Sequence, residues 1–192
     1  MVYPVAVYGH PVLRKVAKDI TPDHEGLGEI IENMWETMYK SDGIGLAAPQ
    51  VNKSIRLFVI DGTPLAEDFP ELEDFKKVFI NACIIERTGD DDIHDEGCLS
   101  LPTIREEVKR PDQITIEYLN EDFEPVTETY SGFAARVVQH EYDHIEGILF
   151  IDHLSALKKR LLKSKLTKIS RGEVAVDYKI LTPVPAMKGR RR

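Results

Sequence analysis

Residues 139–144 read Gln-His-Glu-Tyr-Asp-His, so His140 and His144 stand four apart with Glu141 between them. On a helix, side chains four apart lie on one face, one nearly above the other. Two imidazoles so placed can take adjacent coordination positions on one metal ion. Glu141, one residue past the first, can reach water beside that ion as a general base. The plainer alternative is a pair of surface or capped histidines that share a face. Two ligands do not make a catalytic centre, which wants three protein donors and one open position. The extended zinc-protease pattern would continue with Gly at 147, which is present, and His at 150, where the chain has Phe150. His153 falls at the wrong spacing, and Glu146 points off the ligand face.

A third donor is available upstream. Cys98 sits at the centre of Glu96-Gly97-Cys98-Leu99-Ser100, and its thiolate would complete a Cys-His-His set with a fourth position open. Its alternative is a small buried apolar side chain. That second reading is the one taken for Cys83, which lies inside an apolar strand pattern. Two cysteines are too few for a disulfide scaffold. Residues 43–50, Gly-Ile-Gly-Leu-Ala-Ala-Pro-Gln, form a small-residue loop that lets backbone approach a ligand closely, and Gln50 offers an amide donor. A tight turn between helix and strand explains the same loop equally well. It is no phosphate loop, having neither a Lys-Ser/Thr ending nor a following helix.

Together the three segments resemble the peptide deformylase family, which carries a Gly-x-Gly-x-Ala-Ala-x-Gln loop, a Glu-Gly-Cys-x-Ser loop and a Gln-His-Glu-x-Asp-His helix in this order. All three stand intact at 43–50, 96–100 and 139–144, and the resemblance spans roughly residues 1–155. It implies removal of the formyl group from nascent polypeptides that begin with formyl-methionine. It implies Cys98, His140 and His144 as metal ligands, Glu141 as general acid/base, Gln50 and the Leu99 N–H as oxyanion donors, and Gly45 as a backbone contact to substrate. The implied metal is Fe2+, with Zn2+, Ni2+ or Co2+ as substitutes. The implied fold is α+β, with antiparallel sheets around a central metal-binding helix. Glu96 is a candidate partner for a ligand imidazole N–H, or else a solvated loop acid. Asp143 is expected to anchor its helix through a basic residue such as Arg110. Ile44, Phe133 and Val137 are candidates for the methionine pocket, with core packing as their alternative.

These residues need elements to hold them, and 192 residues suffice for one domain with a full core. Hydrophobic residues make up 42% and charged residues 30%, which excludes wholesale disorder and rods. Apolar residues at 27, 30, 31, 34, 35 and 38 predict an amphipathic helix starting near Thr21 or Asp23. Strands are expected at 55–60, 77–85, 108–118, 126–130 and 174–181, and helices at 134–146 and 154–169, the latter stopped by Gly172. Residues 61–76 read as an acidic surface excursion and 88–95 as a charged turn. Strands first and helices late suggest antiparallel pairing with an additional C-terminal helix. We expect residues 1–182 to form a single catalytic domain and 183–192 a basic, disordered tail.

The net charge of −8 argues against a general nucleic-acid binder. The charge is uneven, however: residues 158–192 hold 12 basic and 2 acidic side chains, against 4 and 14 in residues 61–107. The basic segment could dock on the ribosome, or be a solvated helix face with a frayed end. No residue past Gly172 is expected to belong to the metal site, so that deleting them spares activity on free formyl-peptides. No stretch approaches the roughly 20 apolar residues of a membrane helix, no membrane contact is expected, and no secretory signal is read, leaving the cytoplasm as the default. Two other readings compete: a metallopeptidase acting on ordinary amide bonds, and a catalytically silent metal-binding protein. Formyl-Met-Ala against acetyl-Met-Ala separates the first. An intact Glu141 and Gln50 argue against the second, because binding alone requires neither.

Overall fold

Five segments of the chain pair into one antiparallel sheet, two short and fully buried and three longer. The computed structural model describes residues 1–183. In chain order its elements are β1 (Val5–Ala6), α1 (Leu27–Lys40), β2 (Gly45–Ala47), β3 (Leu57–Asp61), β4 (Lys76–Gly97), β5 (Arg105–Leu119), β6 (Pro125–Ser131), α2 (Gly132–Ile145), α3 (Ala156–Ser170) and β7 (Ile180–Leu181). The sheet runs β2-β3-β4-β5-β6, and β1 and β7 form a separate parallel pair. Helix and antiparallel strand therefore coexist in an α+β fold.

Helix α2 lies at the centre. Its apolar residues Ala134, Ala135, Val137, Val138, Tyr142 and Ile145 pack with Phe58, Phe79 and Ile116 of the sheet. Yet Arg136, Gln139, Glu141, Asp143 and His144 are buried too. A helix buried all round is enclosed by the fold, and its polar residues must then find partners inside. Helix α1 packs Ile30, Ile31, Met34 and Met38 against β3. Helix α3 packs Leu162, Leu166 and Ile169 against the β1 side. Gly172, at φ +73°, lets its own N–H and that of Glu173 bond back to the carbonyls of Ile169 and Lys168, ending α3 where expected. Among the described residues no helix is long and apolar enough to cross a membrane.

Several expectations need correction. Residues 88–95 are not a turn. They continue β4 as a two-stranded ribbon with β5, Thr88 opposite Gln113 and Asp95 opposite Glu107. The side chains of residues 88–95 are themselves exposed or half-buried, so acidic ones are tolerated, and Asp91 pairs with Lys109 at 2.6 Å. The true hairpin turn is residues 98–104, which places Cys98 at its start. Residues 43–50 are not all loop: β2 pairs with β3, and a 3-10 turn follows at Ala48–Val51. Helix α1 begins at Leu27, after Gly26 at φ +69°, because nothing between Thr21 and Gly26 supplies an apolar face.

Cys83 is exposed. Ala82 and Ile84 point inward, so period-two alternation sends Cys83 and Ile85 to the surface. Leu157 and Leu161 of α3 are likewise 67% and 72% exposed, because only the stripe through 162, 166 and 169 faces the core. The expected strand at 174–181 shortens to Ile180–Leu181. The expected tail lies, from residue 184, outside the described residues.

The acidic excursion at 61–76 is part of the core. Leu72 is fully buried and Phe75 nearly so. Phe69 stacks on Phe133 with centroids 4.0 Å apart. Glu71 accepts a 2.9 Å bond from the Phe133 N–H in the first turn of α2, where carboxylate charge is favourable. Leu72→Ala should therefore lower the unfolding free energy by about 2–5 kcal/mol in denaturant titration. A change within about 0.5 kcal/mol, as for a surface loop residue, would contradict this packing.

Candidate active site

The hairpin turn and helix α2 meet where the sequence motifs converge. Cys98, His140 and His144 each offer one ligand atom, and these three atoms lie within 4.8 Å of one another. The Cys98 Sγ stands 3.2 Å from His144 Nε2. The two imidazoles have centroids 5.2 Å apart, as residues one helical turn apart should. His153 and Glu146, the other nearby donors in sequence, are engaged elsewhere: His153 on Asp143 at 2.8 Å, Glu146 on Arg56 at 2.7 Å.

Glu96 holds the cluster from behind. Its carboxylate is buried and accepts from His140 Nδ1 at 2.9 Å, from Arg110 Nε at 2.7 Å and Nη2 at 3.0 Å, and from Arg136 Nη1 at 2.7 Å. Arg110 also donates to Asp143 at 2.8 Å. Burial alone would raise the Glu96 carboxyl. The bonds from His140 and Arg110 overcome it and hold Glu96 ionised, well below the ordinary carboxylate range. Since Nδ1 of His140 donates to an ionised carboxylate, its Nε2 is the atom left for the cluster.

Burial would also raise the Cys98 thiol, but the adjoining His144 and His140 bring it down to about 5, so a thiolate stands ready. Glu141 behaves in the opposite way. It is buried, its Oε2 has no hydrogen-bond partner among the described residues, and burial pushes its carboxyl up to about 7. One thiolate, two imidazoles and an adjacent unpartnered carboxylate oxygen fit a divalent transition metal with water beside it.

Gln50 enters from the 3-10 turn after β2. Its Oε1 accepts from the Ala47 N–H at 2.8 Å, which turns the amide so that Nε2 faces Cys98 Sγ at 3.4 Å and Ser100 Oγ at 3.3 Å. Gly45 lies directly against Glu141; any side chain there would overlap the carboxylate. Ile44, Phe133 and Val137 line the same cleft of about 730 Å³, together with Leu65, Leu99 and Tyr178. That volume suits a few amino-acid residues of a small ligand.

Sequence reasoning missed Arg136, Leu65 and Tyr178. Arg136 had a local signal, since it stands one turn before His140 on the same helix. Tyr178 lies past Gly172 and outside the metal cluster, yet it lines the cleft and donates to the Leu99 carbonyl at 2.8 Å.

Known proteins resemble this chain over most of its length. A family model described as polypeptide deformylase matches residues 2–160. A peptide deformylase of Christiangramia forsetii is 57% identical over 190 residues, covering 95% of this chain and 97% of the relative. The crystal structure of peptide deformylase from Thermotoga maritima matches with 44% identity and a TM-score of 0.72, over 81% of this chain and 99% of that one. A class I type b peptide deformylase from Acinetobacter baumannii, solved with Met-Ala-Ser bound, matches with 34% identity and a TM-score of 0.74, over 80% and 99%. The chain belongs to the polypeptide deformylase family, metal-dependent hydrolases that remove the N-terminal formyl group from the formyl-methionine of nascent polypeptides.

Proposed function

We propose that Cys98, His140 and His144 hold the catalytic metal, that Glu141 moves the proton, and that Gln50 and the Leu99 N–H stabilise the oxyanion. One observation carries this: the three donor atoms lie within 4.8 Å, and the Glu141 carboxylate is buried beside them with an unpartnered oxygen. The resident ion is Fe2+, as the resemblance implies, and the mixed thiolate–imidazole set also suits Zn2+, Ni2+ or Co2+. When bound, such an ion supplies Lewis acidity, which lowers the pKa of adjacent water toward about 7 and polarises a carbonyl.

The chain's own groups complete the chemistry. Glu141, poised near neutrality, accepts a proton from the attacking water and later delivers it to the departing α-amine. Water thereby adds across the formyl C–N bond and yields formate and a free amino terminus. As the carbonyl carbon becomes tetrahedral, charge develops on its oxygen. The fixed Nε2 of Gln50 and the Leu99 N–H face that charge without reorganising, which is why preorganised donors are effective. The Gly45 backbone, on the open edge of β2, offers hydrogen bonds to an extended substrate backbone. Ile44, Phe133 and Val137 receive the methionine side chain, with Leu65 beside them; the Met-Ala-Ser complex of the Acinetobacter baumannii relative supports a peptide in this cleft.

Cys98→Ala should lose metal and activity together, while the exposed Cys83→Ala keeps both. Glu141→Gln should fold and bind metal as the parent does, yet lose at least about 100-fold in kcat. Metal analysis by mass spectrometry alongside turnover of formyl-Met-Ala decides both. Full metal in Cys98→Ala, or a Glu141→Gln rate within tenfold of the parent, would overturn the assignments.

Residues 1–182 act as one catalytic domain working in the cytoplasm, and the basic C-terminal segment brings it to the ribosome. Lys159, Lys163 and Lys165 of α3 are exposed, beside the exposed Leu157 and Leu161, whereas Lys158 is drawn toward Glu106 at 3.0 Å. Contact with RNA phosphates releases counterions, so co-sedimentation with ribosomes should fall steeply as salt rises. Changing Lys159, Lys163 and Lys165 to Glu should abolish it while leaving peptide turnover intact. Binding insensitive to salt, or unchanged in this variant, would reject the docking role.

A further inference from the structure

Helix α3 stops at Gly172, and the chain then makes a loop that returns to where it began. A Cβ on Gly172 would stand 3.1 Å from Thr182 Cγ2, so the two ends of the loop lie together. Its return limb, β7, is fastened to β1: the Val5 and Val7 N–H groups bond to the Lys179 and Leu181 carbonyls at 2.8 and 3.0 Å. Closed ends and a fixed base make a compact surface loop of a kind that often carries function. Burial alternates along it. Val174, Val176, Tyr178 and Ile180 are half-buried, while residues 173, 175, 177 and 179 are exposed. Val174 and Ile180 rest on the apolar cluster that holds β1, α3 and the 98–104 turn. The Tyr178 hydroxyl donates to the Leu99 carbonyl at 2.8 Å, which ties the tip of the loop to that turn. Val176 joins none of the apolar clusters among the described residues, yet it lines the cleft.

We propose that Val176 is a specificity-determining residue, whose side chain forms an apolar wall for the substrate residues that follow the methionine. This rests on reading the cleft as the peptide site. The cleft joins two apolar clusters. Ile44, Leu65, Phe133 and Val137, the methionine pocket of that reading, pack with one of them. Leu101 and Ile104 also line the cleft, and they belong to the cluster that supports the loop. Cys98 packs against this second cluster too. A peptide with its formyl group at Cys98, His140 and His144 and its methionine in the first lobe therefore has the second lobe for its next residues. An apolar side chain that stands at a cleft wall without a core partner gains by covering an apolar group of the ligand. The loop lies past residue 160, so this wall stands outside the segment that matches the family model.

The test measures KM and kcat of the metal-loaded enzyme on formyl-methionine amide and on formyl-Met-Leu-Leu, with thermal stability followed in parallel. Val176→Ser should shift the ratio of the two KM values about tenfold against formyl-Met-Leu-Leu, as loss of an apolar contact predicts. The effect should fall on KM rather than kcat, because the wall binds ground state and transition state alike. Val176→Ile keeps the apolar surface and should keep the parental ratio. Val174→Ala weakens the packing of the loop without altering the cleft lining, so it should lower stability and leave the ratio as it was. Ile44→Ser, in the methionine pocket, should raise KM for both substrates. A Val176→Ser enzyme with the parental ratio overturns the proposal, whether its two KM values are unchanged or rise together. A shift in Val174→Ala as large as that in Val176→Ser also overturns it, by making the effect one of loop stability. Parental KM on both substrates in Ile44→Ser rejects the cleft reading, and the proposal falls with it.

Discussion

One buried carboxylate organises the centre of this protein. Glu96 sits at the end of β4 and accepts from Arg110 on β5, from Arg136 on α2 and from His140. It therefore joins both strands of the hairpin to the helix through side chains that are buried or, for His140, nearly so. An unpaired charge in such a place would be expelled or neutralised. Two arginines against Glu96 and Asp143 balance the local charge, and that balance lets a charged cluster exist inside an apolar fold. Neutral apolar residues could give as much stability. What they could not do is orient an imidazole, so the network reads as positioning machinery first and as a source of stability second.

The same enclosure separates the behaviour of the two carboxylates beside the Cys98, His140 and His144 cluster. Glu96 meets cations and stays ionised; Glu141, equally buried, meets no donor among the described residues and is pushed toward neutrality. Environment alone sets the two carboxyls apart, one held well below the ordinary carboxylate range and the other raised above it. Gly45 permits the second arrangement, since any side chain there would displace the Glu141 carboxylate. The backbone of β2 and the Glu141 carboxylate are thus set against each other by the absence of a single carbon atom.

Much of this was legible in the residues, for identifiable reasons. His140, Glu141 and His144 declare themselves because helical periodicity is local: the spacing in sequence is the spacing in space. Cys98 is silent on its own and gains meaning only from the company of the other two motifs. The ribbon at 88–95 imitates a turn because its own side chains are mostly charged and exposed or half-buried, while the apolar residue it shares a face with, Val108, lies on the opposite strand. Leu72 and Phe75 were hidden among acidic neighbours that point outward. Arg136 and Tyr178 find their partners 40 and 79 residues away, and no pattern within a window reports contacts made by a closed topology.

The central claim is that the charge of Glu96, rather than its shape, holds His140 ready for the metal. The direct measurement is metal affinity of Glu96→Gln by chelator competition, on protein handled without oxygen, with unfolding followed in parallel. The amide keeps the size but cannot bind two arginines and an imidazole N–H as a carboxylate does. Affinity should fall about 10- to 100-fold, and the folded state should lose about 3–5 kcal/mol from cations left without their partner. Parental affinity and parental stability in Glu96→Gln would contradict the claim.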